Sequence, residues 1–349
     1  MRIKTLRIHV STFVLVLAGF TASAYAVTTC TFTDQGSTRK LNGDCTTTAA
    51  IVIPNGRTLD GRGFTITGMD PVGGHFVGAV VRNGGASASV KNLRVTVNGL
   101  QDDCDAGADR LRGILFEGAS GSISNNTVFN INQGASGCQE GNAIEVRNFG
   151  ANPSTSRVTV DGNTITGYQK TGIIANGNVE VDASDNIVDG GVPVGYIARN
   201  GIQFGFGGSG QAKRNTVNGN SYTGSSTVSG GIIVVGGPFY EDPFCVGVQI
   251  VQNTITGNDV GVFISELEAD GSAPATATNI KVINNDISKA TVTNNFIYQA
   301  GVSDVGNNDK IISNTISGAG YDPATIFGST FAIDADPSFT NRAHVHANR

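Results

Sequence analysis

Two stretches gather the ionisable side chains that could do chemistry. Between Gly99 and Gly113 lie Asp102, Asp103, Asp105, Asp109, Arg110 and Arg112, grouped around Cys104; one repeat later Cys138 is followed by Glu140, Glu145 and Arg147. Carboxylates at alternating positions around a glycine suit a hard cation such as calcium, which takes about six to eight oxygens. Asp102, Asp103 and Asp105, with Glu140 from the next repeat, are the candidate ligands. The loop lacks the downstream glutamate of an EF-hand, and a merely solvated acidic loop accounts for the same residues. Arg112 or Arg147 is a candidate base or substrate clamp, and Glu117 and Glu145 are candidate positioning groups. His75, in Gly73-Gly74-His75-Phe76, lies one winding earlier and is placed to face the same groove, although a histidine in a Gly-rich loop is as readily incidental.

The elements that must position these residues are announced by a recurring phrase. It reads Asn126-Thr127-Val128, Asn163-Thr164-Ile165, Asn186-Ile187-Val188, Asn215-Thr216-Val217, Asn253-Thr254-Ile255, Asn285-Asp286-Ile287 and Asn314-Thr315-Ile316, with a looser copy at Asn92. From Asn92 onward the intervals are 34, 37, 23, 29, 38, 32 and 29 residues. A phrase at such a period marks stacked units, none of which buries its apolar face alone. A second signature is a strand that opens on a small residue, as in Gly113-Ile114-Leu115-Phe116-Glu117, Ala143-Ile144-Glu145-Val146-Arg147 and Gly172-Ile173-Ile174-Ala175. Alternation of period two sends Ile114, Phe116, Ile144 and Val146 inward and Leu115, Glu117, Glu145 and Arg147 outward. Stacking in register would set outward Arg82, Glu117 and Arg147 in one column, and Ile174, Ile233 and Phe263 in an apolar stripe or under covering loops. No segment keeps a 3.6-residue apolar period over three turns, so helix is nearly absent. The corner asparagine is read as structural: it tolerates left-handed backbone angles and its amide can bond the coil above or below, as in other asparagine ladders.

These Asn-Thr-Ile and Gly-Ile phrases resemble secreted proteins of the right-handed parallel β-helix superfamily, which includes pectate-lyase-like enzymes. The resemblance covers roughly residues 51–318. It implies an all-β, single-stranded right-handed parallel β-helix with capped ends. It leaves activity open, since the superfamily holds polysaccharide lyases, glycoside hydrolases, epimerases and non-enzymatic adhesins. Some of its lyases use calcium on a carboxylate cluster with an arginine base, and the constellation here is similar in kind. The leading expectation is therefore β-elimination on an acidic, uronate-containing polysaccharide. A glycosidase with Glu117 and Glu145 as its pair is the close variant, its stereochemical course set by their separation. The competing class is a non-catalytic scaffold binding glycan or protein. No paired-Asp and Gly-His-Gly set of the polygalacturonase type is present, and the absence of Trp weighs against an indole-lined sugar groove.

Composition narrows the partners. Residues 1–26 carry a basic start (Arg2, Lys4, Arg7), an apolar run and Ala24-Tyr25-Ala26, the pattern of a cleaved secretory signal. Loss of its three basic residues moves the formal charge of −5 to −5 − 3 = −8, which suits neither nucleic acid nor an anionic membrane. The expectation is a released, secreted coil: residues 27–50 an N-terminal cap, 51–318 the β-helix, 319–349 a C-terminal cap and tail. A monomer is the expected state. Five cysteines in an exported chain give two disulfides and one thiol, with Cys30–Cys45 and Cys104–Cys138 favoured and Cys245 left over. Tyr321, Ile326, Phe327, Phe331, Ile333 and Phe339 suit a lid. The insertion at 236–244 offers aromatic rings for stacking or a cover for Cys245, and His344 and His346 fall in an expected frayed tail.

Overall fold

The computed structural model describes residues 27–335 and 342–349; the expected signal at 1–26 and Phe339 of the expected lid lie outside the described residues. Apart from one 3-10 turn at Pro238–Tyr240, the regular elements among the described residues are strands. They form three sheets. Sheet 1 has 12 strands and runs from Phe32–Gln35 to His344–His346; sheet 2 has 10, from Ile51–Ile53 to Thr330–Asp334; sheet 3 has 10, from Cys45–Thr47 to Thr315–Ser317. Each winding visits the sheets in turn. One winding runs through Ser120–Ser124 in sheet 1, Thr127–Phe129 in sheet 3 and Asn142–Asn148 in sheet 2, then returns to sheet 1 at Ser156–Asp161. Neighbouring strands pair in parallel throughout, except Phe32–Gln35, which runs antiparallel to Thr38–Leu41. Parallel strands joined by crossovers wind right-handedly. The chain is a right-handed parallel β-helix.

The core is the inward half of each alternating strand. In sheet 2, Ile114 and Phe116, Ile144 and Val146, and Ile202 and Phe204 are all buried. Sheet 1 stacks Val90, Ile123, Val160 and Ala183 in the same way, one directly over the next. The small residue opening each sheet-2 strand is a matter of space. A Cβ on Gly201 would come within 2.4 Å of Val217 and 2.5 Å of the Gly231 carbonyl, and Gly113, Gly231 and Gly261 are hemmed in alike.

The corner asparagines form a continuous ladder. Asn126, Asn163, Asn186, Asn215, Asn253, Asn285, Asn314 and Asn348 stack so that each Oδ1 accepts both the backbone N–H and the side-chain amide of the preceding rung, at 2.9–3.0 Å. The remaining amide proton goes to a backbone carbonyl, as from Asn186 to Val160 at 2.8 Å. Each buried amide is thereby satisfied, as buried polar groups must be. Two details differ from the sequence expectation. Asn92 is not a rung: Leu93 occupies that place, its N–H donating to Asn126. Left-handed backbone falls on the residue before each rung, as at Asn125 (φ 55°), Asp185 (φ 55°) and Arg214 (φ 54°), rather than on the rung itself.

The ends also depart from expectation. Parallel winding begins inside the expected cap, with Thr38–Leu41 and Cys45–Thr47 already paired to the next coil, because their alternation matches the strands they lie on. At the other end His344–His346 pairs in parallel with Lys310–Ile312, and Asn348 completes the ladder, so this stretch is a further coil rather than a frayed tail. Phe331 and Ile333 belong to that coil through Thr330–Asp334, Tyr321 is buried beneath it, and Phe327 is exposed. Disulfides join Cys30 to Cys45 and Cys104 to Cys138, and Cys245 is a buried free thiol.

Candidate functional site

The outer face of sheet 2 carries the charged residues. Register sets Leu115 over Glu145 and Glu117 over Arg147, but Arg82 opposite Leu115, two residues from the expected column. The shift follows from where Ala79–Asn83 pairs, with Val81 beside Ile114 inside. The apolar stripe is real in register: Glu145, Ile174, Gln203, Ile233 and Phe263 follow one another in a single column. Loops cover most of it, leaving Ile174 and Ile233 buried.

The two acid-rich loops meet at the edge of this face. The Cys104–Cys138 bridge holds them with Cα atoms 5.0 Å apart. Ser136 donates to Asp102, Gln133 to the Asp103 carbonyl, and the Leu111 N–H to Glu140. Beneath the loops lies a sealed ionic core. Arg112 is 1% exposed; its Nε donates to Glu145, one terminal nitrogen bonds the carbonyls of Arg110 (2.7 Å) and Ala108 (3.2 Å), and the other bonds that of Gly107 (2.9 Å). Glu145 is 4% exposed and lies 3.7 Å from Arg147 as well. Arg112 thus fixes the acidic loop to the coil and has no face left for a base or substrate clamp, and Glu145 serves as its counter-ion. The alternation placed Glu145 outward correctly; the loop that buries it is what the alternation does not encode.

Glu117 and Arg147 stand at the opening. They pair at 2.9 Å, with the Glu117 side chain 39% exposed. Asn83 locks the Glu117 backbone from the preceding coil, accepting its N–H (2.7 Å) and donating to its carbonyl (2.9 Å). Two adjoining hollows of 600 and 230 Å³ share Arg82, Leu115 and Glu117 in their walls, and the smaller also takes in Asp109 and Arg147. Arg82 is exposed between them, and no ion pair joins it to a carboxylate among the described residues. The arrangement presents two guanidinium groups and two carboxylates to one groove.

The other candidates are drawn elsewhere. His75 lies between Asp105 (3.0 Å from Nε2) and Asp103 (3.4 Å from Nδ1), so both ring nitrogens face carboxylates and the imidazole ties two loops together. Glu140 is fully buried; burial, reinforced by Asp105, raises its pKa, and its Oε1 has no hydrogen-bond partner. Nearby Lys170 is pushed down to about 8 by burial and then by Arg110, and donates to the Ala198 carbonyl at 2.8 Å. The proposed calcium ligands therefore spend their oxygens separately: Asp102 on Ser136, Asp103 and Asp105 on His75, Glu140 on a backbone amide. Among the described residues no three His, Cys, Asp or Glu side chains are grouped to hold a metal ion. These four carboxylates do not fit a calcium shell as placed, and no step below runs through one. A second hollow further along the face, lined by Val228, Phe263, Phe296, Tyr298 and Asp334, escaped sequence reasoning because its walls come from four separate windings.

No protein-family model matches the chain, and no curated protein matches it. Among solved structures it is similar to the Dettilon tailspike protein, at 15% identity and a TM-score of 0.48, over 89% of this chain and 63% of that one. It is also similar to the A-module of the Azotobacter vinelandii mannuronan C-5 epimerase AlgE4, at 14% identity and a TM-score of 0.36, over 89% of this chain and 85% of that one. At such identities the likeness concerns the fold. The chain spans 63% of the tailspike chain's length. No helix is long and apolar enough to cross a membrane among the described residues.

Proposed function

We propose that the protein is a secreted β-helix that binds an acidic, uronate-bearing polysaccharide along the outer face of sheet 2. The observation that carries this reading is Arg82, an exposed guanidinium without a carboxylate partner, standing in the shared wall of two adjoining hollows. A guanidinium fork matches a carboxylate in two parallel hydrogen bonds. Arg147, held by Glu117 and by the Gly107 carbonyl at 3.4 Å, adds a second fixed positive group, and Glu117 and Asp109 accept sugar hydroxyls. Two disulfides support an oxidising, extracellular setting.

Elimination is the second reading, favoured by the reach of Glu117 into the same hollow as both arginines. Arg82 would neutralise the uronate carboxylate, and Glu117 would take the C5 proton. The C5–H electron pair would form the C4=C5 double bond while the C4–O bond breaks, and the departing oxygen would take a proton from water. Hydrolysis by a Glu117 and Glu145 pair finds less support, because Glu145 is enclosed by Arg112 and opens onto no groove.

Calorimetric titration with oligogalacturonate, oligomannuronate and a neutral glucan tests binding. The uronates should bind and the glucan should not; equal binding of the glucan would overturn the reading. Ultraviolet absorbance from a new C4=C5 bond, lost in Glu117→Gln while binding persists, tests elimination separately.

A further inference from the structure

The second hollow on this face has a different chemistry from the arginine groove. It encloses 380 Å³ and is walled by the rings of Phe263, Phe296 and Tyr298 and by Val228 and Val305. Its polar wall is hydrogen-bonded: the Tyr298 hydroxyl donates to Asp334 at 2.7 Å and lies 2.8 Å from the Ser303 hydroxyl. Register puts Phe263, Ser303 and Asp334 in one outward column, so the Asp334 carboxylate is the acidic group of this wall.

The walls are held in place. Asn294 spans its loop, donating to the Tyr298 carbonyl at 2.8 Å and accepting the Tyr298 N–H at 3.3 Å. Asn295 donates to the Thr223 carbonyl at 2.7 Å, tying this loop to the one that carries Val228. Between Phe296 and Tyr298, Ile297 adopts φ 58°. A β-branched side chain in the left-handed region is a costly outlier, and such strain collects at ligand clamps. Here it turns two successive aromatic side chains into one hollow, with Phe296 48% exposed at the rim.

We infer that this hollow binds one neutral hexopyranose unit. Its volume lies in the small-ligand range and suits a single sugar ring. Aromatic faces match the C–H faces of a pyranose, and a wall of hydroxyl and carboxylate oxygens accepts hydrogen bonds from sugar hydroxyls. The same acidic wall repels a uronate. The inference builds on the reading of this face as glycan-binding and adds a unit of opposite preference. Six strand steps separate Ala79–Asn83, which bears Arg82, from Val260–Glu266, which bears Phe263, or about 29 Å along the axis. The polymer expected is one that carries neutral as well as acidic residues.

Saturation-transfer NMR on the full chain tests this with the methyl glycosides of glucose, galactose and mannose, and with methyl glucuronide. At least one neutral glycoside should receive saturation through its ring C–H protons, and methyl glucuronide should not displace it. Phe296→Ala, at an exposed rim position, and Asp334→Asn should each weaken binding by about tenfold with the melting temperature preserved. Arg82→Ala should leave it unchanged. Absence of saturation from all three neutral glycosides, displacement by methyl glucuronide, or wild-type binding by a folded Phe296→Ala protein would overturn the inference. If uronate polymers still bind in that event, only this pocket assignment falls. If instead the neutral glycoside binds as described and uronates do not, only the arginine-groove reading falls.

Discussion

Arg112 and Glu145 show how burial redirects a side chain's role. An ion pair enclosed by its own loop gains from mutual attraction but has already lost its hydration, so removing one partner leaves the other charged and unsolvated. Glu145→Ala should therefore destabilise the fold by about 3–5 kcal/mol, seen as a lower denaturant midpoint. Arg82→Ala, at an exposed position, should move stability by no more than ~0.5 kcal/mol. Equal stability effects would contradict this division between the sealed core and the open groove. Glu266 offers a titration with a definite sign. Burial pushes its carboxyl up from 4.5 to about 8, with Oε2 accepting the Cys245 N–H at 3.0 Å and Oε1 without a hydrogen-bond partner. The folded state holds this proton where the unfolded chain releases it. Its stability contribution is thus complete below pH 4.5 and is lost as pH rises to about 8. Each unit of difference is worth about 1.4 kcal/mol, an upper bound here. Glu266→Gln should flatten the fall in melting temperature across that window; an unchanged slope would place the titration elsewhere. The sequence identified Glu145 and Arg112 as site candidates because residue type and adjacency were visible. Their burial depends on the fold of the loop from Gly99 to Gly113, which obeys no period.

The asparagine ladder governs the corners between sheets 1 and 3. Replacing Asn215 removes the acceptor for the backbone and side-chain N–H groups of Asn186, and with it the donor to Asn253 and to the Ala183 carbonyl. Each buried group left unpaired costs about 1–3 kcal/mol. Asn215→Ala should accordingly cost about 2–4 kcal/mol in chemical denaturation, while Asn92→Ala, one place off the ladder, should cost far less. Parity between the two would mean the ladder is not a principal support. This element was legible because one geometric demand recurs at each winding from Asn126 to Asn348 and asparagine meets it at every one of those rungs. Asn92 misled because it precedes an apolar occupant of the rung, Leu93, and the left-handed position beside each rung accepts Asn, Asp, Gly, Arg, Gln and Ser alike. The glycines opening the sheet-2 strands were legible for a similar reason: the next winding leaves no room for a Cβ.

The whole molecule is a stack whose length exceeds the segment the phrase marks. The terminal windings carry the inward alternation without the Asn-Thr-Ile wording, so they read as caps from sequence yet pair as coils. Stacking is also what makes a functional face: strands remote in sequence lie a few ångströms apart, and one surface acquires a charged groove at one end and an aromatic hollow at the other. The most direct test of glycan binding on this face is calorimetric titration of oligogalacturonate into wild-type protein and Arg82→Glu at low and physiological salt. The wild type should bind, more weakly as salt rises, and Arg82→Glu should lose about tenfold or more in affinity with its fold intact. Wild-type affinity in the folded Arg82→Glu protein, or no binding by either, would contradict the assignment of the groove.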